Sequence, residues 1–326
     1  MPAPDTLDLF AGPGGWSEGL RRHHAITDVG IEWDPAACRT RAAAGHLTVR
    51  ADVAQVATEP MAGRIRRLIA SPPCQAWSRA GKQLGLQDQP IVHQAIQDLA
   101  LGRDTRPTLL AACQDPRSLL AAEPMRYLHD LRPEDAVMEE VPDALPLFRQ
   151  YAEILRSWGY STWSGNLNAA DYGVPQSRRR AILIASRTRN VQPPAPTHSE
   201  HGDEASLFGP PRARWASMAE GIGWGAQDRP APTVTAGGGK TGGAEPFPTQ
   251  ARRTLAESLG RGAWTKRSGL PDTARITIRE AGMLQSFPSD YPWQGTQTKQ
   301  YEQAGNAVPP LLAAHVAAAA FGLPQP

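Results

Sequence analysis

Cysteine is scarce in this chain. Three are present among 326 residues, Cys38, Cys74 and Cys113, and their spacing matches neither a paired framework nor a zinc site. That excludes a disulfide scaffold, and no metal-ligand set is expected. Long apolar runs are lacking as well. No stretch approaches the ~18 consecutive apolar residues of a membrane span, and the opening Met1-Pro2-Ala3-Pro4-Asp5 has no charged segment leading into an apolar one. Secretion and membrane insertion are therefore not expected, and the cytoplasm is the expected compartment.

Net charge is nearly absent, at +2, but it is unevenly distributed. From Asp171 to Gln300 there are 17 Lys and Arg against 11 Asp and Glu, so this segment carries +6 and the remainder −4. A basic segment on an acidic body suits a lobe that faces nucleic acid, because phosphate neutralisation supplies most sequence-independent affinity. A solvated surface accounts for the same imbalance equally well.

What is present is an alternation of apolar runs and helical stretches. Thr6–Phe10 reads as a buried strand, followed by the glycine turn Gly12-Pro13-Gly14-Gly15 and a helix from Trp16 to His23. Further strands are expected at Asp28–Glu32, Leu47–Val49, Arg67–Ala70, Ala136–Glu140, Tyr160–Leu167 and Ala181–Ala185. Helices are expected at Pro35–Ala44, Ile91–Leu101, Leu119–Leu131, Arg149–Trp158 and Leu311–Phe321. Such alternation predicts an α/β fold with a doubly wound, mostly parallel sheet. After Thr188 the composition turns rich in Gly, Pro, Trp and Arg, and Gln192-Pro193-Pro194-Ala195-Pro196 reads as a linker into a smaller, irregular or β-rich lobe.

The glycine turn lacks the G-x-G-x-x-G spacing of dinucleotide folds, since Ser17 stands where the third glycine belongs. Pyrophosphate is thus not the indicated ligand. Glu32 ends the second strand, where an acid accepts hydrogen bonds from ribose hydroxyls, and Trp33 offers a flat face to a purine. Asp52 is placed to accept from an adenine amino group, or else to cap a turn. An adenosine without phosphates fits this set best. Cys74 follows Pro72-Pro73 on a loop leaving the fourth strand, where two fixed φ angles pre-shape its position. A packed, inert cysteine is the competing reading.

The order of segments Asp8-Leu9-Phe10-Ala11-Gly12-Pro13-Gly14-Gly15, Ser71-Pro72-Pro73-Cys74-Gln75, Glu139-Glu140-Val141-Pro142, Gln176-Ser177-Arg178-Arg179-Arg180 and Gly305-Asn306-Ala307-Val308-Pro309 resembles the cytosine-5 DNA methyltransferase family. Arg275-Ile276-Thr277-Ile278-Arg279-Glu280, running on to Leu284-Gln285-Ser286-Phe287-Pro288, is similar to the family's penultimate motif. The resemblance covers all but about residues 191–271, where the family places its variable recognition region. It implies a class I methyltransferase-like Rossmann fold with a catalytic lobe at 1–190 completed by 296–326. A target-recognition domain at 191–275 and a connecting motif at 276–295 follow.

The resemblance also implies a chemistry. Carbon 5 of cytosine is a poor nucleophile until something adds to carbon 6, and Cys74 matches the residue whose thiolate does so. Glu139 matches the glutamate that assists, protonated, at ring nitrogen 3. Carbon 5 then takes the methyl group of S-adenosylmethionine, leaving S-adenosylhomocysteine. Phe10, Gly12, Gly14, Gly15, Glu32, Trp33, Asp52, Pro73 and Asn306 are the implied cofactor-binding residues. A target inside a duplex must be flipped out, and Arg178 and Arg180 are implied to hold that nucleotide. Gln176, Thr233, Lys240, Arg252 and Arg253 join them as expected DNA contacts, with Lys266 and Arg267 as further phosphate candidates, while Arg179 faces outward by strand alternation.

The implied partner is double-stranded DNA, bound by a monomer that is nucleoid-associated through it. A cognate restriction endonuclease acting separately belongs to a restriction-modification role; an orphan or phage-type role does without one. One departure stands out: Glu140 occupies a place where the family has asparagine. A tRNA cytosine-5 methyltransferase shares the catalytic plan, and a catalytically impaired DNA-binding homologue shares the fold; both remain alternatives.

Overall fold

Each of the strands at the centre of the molecule is apolar on both faces, and burial follows that pattern. The computed structural model describes residues 4–24, 26–73, 87–204, 210–223, 228–235 and 276–326, together with the backbone of 245–246, 266–267 and 270–274. Seven strands form one sheet: β1 (Thr6–Leu9), β2 (Asp28–Glu32), β3 (Leu47–Arg50), β4 (Arg67–Ala70), β5 (Asp135–Glu140), β6 (Ser161–Asn168) and β7 (Arg179–Ser186). Their order is β3-β2-β1-β4-β5-β7-β6. The first five in that order run parallel, and β7 is antiparallel to both β5 and β6. This mostly parallel sheet with helices on both faces is the expected class I methyltransferase fold.

Period-two alternation divides the core into two layers. Leu68, Ala70, Ala136, Met138 and Leu183 face one way, packing under α3 (Gln89–Ala100), α4 (Glu123–Leu131) and α5 (Leu145–Ser157) through Val92, Ile96, Met125, Phe148 and Tyr151. Ile69, Val137, Ile182 and Ile184 face the other way, against Trp16 and Leu20 of α1 (Gly15–Arg21) and Leu312, Val316 and Phe321 of the last helix. Helix α2 (Pro35–Ala43) starts on a proline, and Asp34 caps it by accepting from the amides of Ala36 and Ala37.

The expected helix Leu119–Leu131 is in fact two elements. Pro116–Ala122 winds as a tighter 3-10 turn, and α4 starts afresh at Glu123 because Pro124, with no amide hydrogen, suits a first turn and not a helix interior.

Beyond β7 the described chain is irregular. Ala231 and Val234, with Met218 and Ile222 of a short helix, share a small core with α6 (Ile278–Leu284) and α7 (Gln297–Asn306). Helix α8 (Pro310–Phe321) then returns to α1. Gln297–Phe321, spanning α7 and α8, is long and apolar enough by length and composition to cross a membrane, yet 83% of its most apolar window is buried inside the protein, as in the core of a globular fold.

Candidate active site

Parallel strands deliver their C-terminal ends to one edge of a sheet, and ligand sites form there. The first part of this edge is the turn after β1. Phe10 adopts a left-handed backbone, φ 60°, which is uncommon for a residue with a side chain and marks a locally strained position. The Gly14 amide closes the turn onto the Ala11 carbonyl at 3.1 Å. Gly12 has φ 54° and open space where a side chain would project. Gly15 has no such room: a β-carbon there would lie 2.2 Å from the carbonyl oxygen of Val308. The turn and the Gly305–Pro309 segment are therefore packed backbone to backbone.

Glu32, at the end of β2, ties this turn to the next. Its Oε2 accepts from the Gly12 amide at 2.8 Å and its Oε1 from the Asp34 amide at 2.7 Å. Trp33, between them, leaves 70% of its surface exposed. Asp52 follows β3 and accepts from the Ala54 amide at 3.0 Å. The open face at Gly12, the bare indole and the fixed carboxylate suit a flat, neutral base on a ribose, the adenosine half of S-adenosylmethionine. Asn306 ends α7 exposed beside this turn.

The second part of the edge lies where β4 and β5 end. Their register pairs Ala70 with Met138, so the next residues, Ser71 and Glu139, are neighbours. Glu139 is buried, and Arg180 of β7 places its Nε 3.0 Å from Oε1. Burial pushes the Glu139 carboxyl above the usual range and outweighs the opposing pull of Arg180, of Arg178 and of the neighbouring Ser71 hydroxyl. Glu140, also buried, accepts from the Val141 amide. Pro73 is half-buried and is the last residue described before the segment bearing Cys74. Cys74 itself, with Lys240, Arg252 and Arg253, lies outside the described residues, and Lys266 and Arg267 are described in backbone only.

Two expected DNA contacts occupy the interior. Gln176 is fully buried: its amide nitrogen donates to the Leu284 carbonyl and to Gln285 Oε1, and its Oε1 accepts from the Val234 amide at 2.8 Å. Arg178 is 1% exposed and donates to the carbonyls of Val234, Gly305 and Ala307 at 3.1, 2.9 and 3.1 Å. Both side chains are thus tied to protein carbonyls and amides, while Arg178 Nε is buried without a hydrogen-bond partner. Arg180 alone of the pair reaches Glu139. Arg179 is exposed, as alternation requires. Thr233 is exposed, and its hydroxyl donates to the Ser177 carbonyl at 2.8 Å.

Sequence reasoning missed several supports. Gln285 is fully buried between Gln176 and the Ala304 carbonyl, and the Tyr291 hydroxyl donates to the Pro13 carbonyl in the glycine turn. Arg41 lies buried behind the same turn, with its guanidinium near Asp8 and Asp28. Burial raises the Asp8 carboxyl well above its ordinary range despite Arg41. The only sequence signal for these was an unusual polar residue in an apolar setting.

Comparison with known proteins agrees with this geometry. The family model for C-5 cytosine-specific DNA methylases matches residues 5–91, 109–208 and 240–322. The chain belongs to that family, and the family's methyl donor is S-adenosylmethionine. Among its relatives are the type II methyltransferase M1.HphI of Haemophilus parahaemolyticus, 28% identical over 96% of this chain and 85% of the relative. The type II methyltransferase M.AplI of Arthrospira platensis is 30% identical over 96% of this chain and 84% of its own. The fold is shared with the solved Entamoeba histolytica methyltransferase EhMeth, at a TM-score of 0.65 and 16% identity over 99% of both chains. It is shared also with S. pombe Dnmt2, at 0.63 and 15% identity over 97% and 98%.

Proposed function

We propose that this enzyme methylates carbon 5 of a flipped-out cytosine in double-stranded DNA, with Cys74 as nucleophile and Glu139 as the acid at nitrogen 3. The observation that carries the reading is the meeting of a buried Glu139, whose carboxyl burial pushes above the usual range, with Arg180 and Ser71 at the strand ends from which the Cys74 segment leaves. S-adenosylmethionine, when bound, supplies the electrophilic methyl group that carbon 5 receives. Phe10, Gly12, Gly14, Gly15, Glu32, Trp33, Asp52, Pro73 and Asn306 are the residues proposed to hold it.

The Cys74 sulfur bonds to carbon 6, which pushes an electron pair into the ring. Glu139 meets that charge by giving a proton to nitrogen 3. Once carbon 5 carries the methyl group, a solvent base takes its proton, the Cys74 thiolate is expelled from carbon 6, and nitrogen 3 returns its proton to Glu139, which restores the aromatic ring. Arg180 orients Glu139 and offers its remaining donors to the base. Residues 191–275 are the proposed recognition lobe, with Thr233, Lys240, Arg252 and Arg253 toward DNA. A monomer acting in the cytoplasm, in a restriction-modification setting with a separate endonuclease, fits the relatives' type II names.

Duplex DNA containing 5-fluorocytosine tests the mechanism, because the fluorine cannot leave as a proton does and the covalent adduct persists. Wild type is expected to form an adduct that requires S-adenosylmethionine, and Cys74→Ser none. An adduct of equal yield in both overturns the assignment. Labelled methyl transfer to RNA alone overturns the choice of DNA.

A further inference from the structure

The indole nitrogen of tryptophan can only donate a hydrogen bond. Trp16, buried at the start of α1, places Nε1 3.0 Å from the hydroxyl oxygen of Ser71. That oxygen must therefore be the acceptor, and its own single proton has to point elsewhere. The β4–β5 register sets Glu139 beside Ser71. Trp16 stands directly after Gly14-Gly15, in the turn assigned above to the methyl donor.

We infer that Trp16 and Ser71 are positioning residues, forming a hydrogen-bond chain from the cofactor turn through the Ser71 hydroxyl to the Glu139 carboxyl. The inference rests on the reading of Glu139 as the acid and deepens it. Trp16 occupies one lone pair of the Ser71 oxygen and holds the hydroxyl in place, leaving its proton available for donation to Glu139. Among the described residues, the charged groups around Glu139 are Arg180 and Arg178 from the segment entering β7 and Glu140 on its own strand. Burial favours the protonated carboxyl, and donation from Ser71 opposes it.

The sign follows. Donation to the carboxylate favours its ionised form, so loss of that donation raises the pKa of Glu139. The protonated form then persists to higher pH, and the alkaline limb of kcat, measured with both substrates saturating, moves up.

The experiment compares pH profiles of kcat on duplex DNA for wild type, Trp16→Phe, Ser71→Ala, Ser71→Thr and Glu139→Gln. Trp16→Phe and Ser71→Ala are each expected to shift the limb upward by about 0.5 to 1 pH unit, and Ser71→Thr to restore it. The double variant is expected to shift no further than Ser71→Ala, since one hydrogen bond is being removed twice. Loss of packing at Trp16 lowers kcat at all pH values without moving the limb, and Ser71→Ala leaves Trp16 in place. An unmoved limb in Ser71→Ala, with Glu139→Gln inactive, overturns the chain but spares Glu139 as the acid. Wild-type activity in Glu139→Gln overturns the underlying reading instead.

Discussion

Arg178 offers the sharpest division between a structural and a nucleotide-holding role. Replacing it with methionine keeps a long apolar stem but removes the donors for three carbonyls, those of Val234, Gly305 and Ala307. Each orphaned buried acceptor costs about 1–3 kcal/mol. Against this stands relief from burying a guanidinium, a burden visible in the pKa of Arg178, which burial pulls well below its ordinary value. The net is a destabilisation of about 3 kcal/mol, roughly the lower bound for breaking a buried ionic contact, and melting is expected to fall by roughly 5 °C. Thermal unfolding checks the stability, and adduct formation on 5-fluorocytosine DNA, at a temperature where the variant is folded, checks the chemistry. Arg178→Met is expected to melt early yet keep most of its adduct yield, whereas Arg180→Met keeps its stability better and loses adduct. A variant of Arg178 that melts like wild type and fails only to trap the base refutes the reasoning.

Two further expectations concern the cofactor turn. Gly15→Ala forces a methyl group against the Val308 carbonyl, so the turn and the Gly305–Pro309 segment must separate; titration calorimetry is expected to show S-adenosylmethionine bound at least tenfold more weakly. Glu32→Ala frees the amides of Gly12 and Asp34 together and is expected to weaken the methyl donor far more than DNA, measured by separate equilibrium titrations; equal losses for both ligands contradict the assignment.

Much of this molecule was legible in its sequence for local reasons. β2 and β4 run over the expected residues because a short apolar run between polar boundaries has few other solutions, and Asp34-Pro35 announces the start of α2. That Phe10, Glu32 and Asp52 share one edge of the sheet was legible because they follow consecutive parallel strands. The protein partners of Gln176 and Arg178 were not legible, for the opposite reason. Their partners stand 56 to 129 residues away, and an arginine in an Arg-rich stretch carries no local sign of whether it meets phosphate or carbonyls. Trp16 and Ser71 were hidden in the same way: each looked like packing or loop chemistry until the sheet order set β1 beside β4.

The return of α8 to α1 has a consequence for how the protein is made. The sheet face carrying Ile69, Val137, Ile182 and Ile184 is complete once β7 has been synthesised, but its cover comes from residues 310–321. At translation rates of about 5–20 residues per second, that oily surface waits on the order of ten seconds for its lid. During this interval the nascent chain is a natural client for chaperones, and the Gly15 turn lacks the Val308 wall against which it packs.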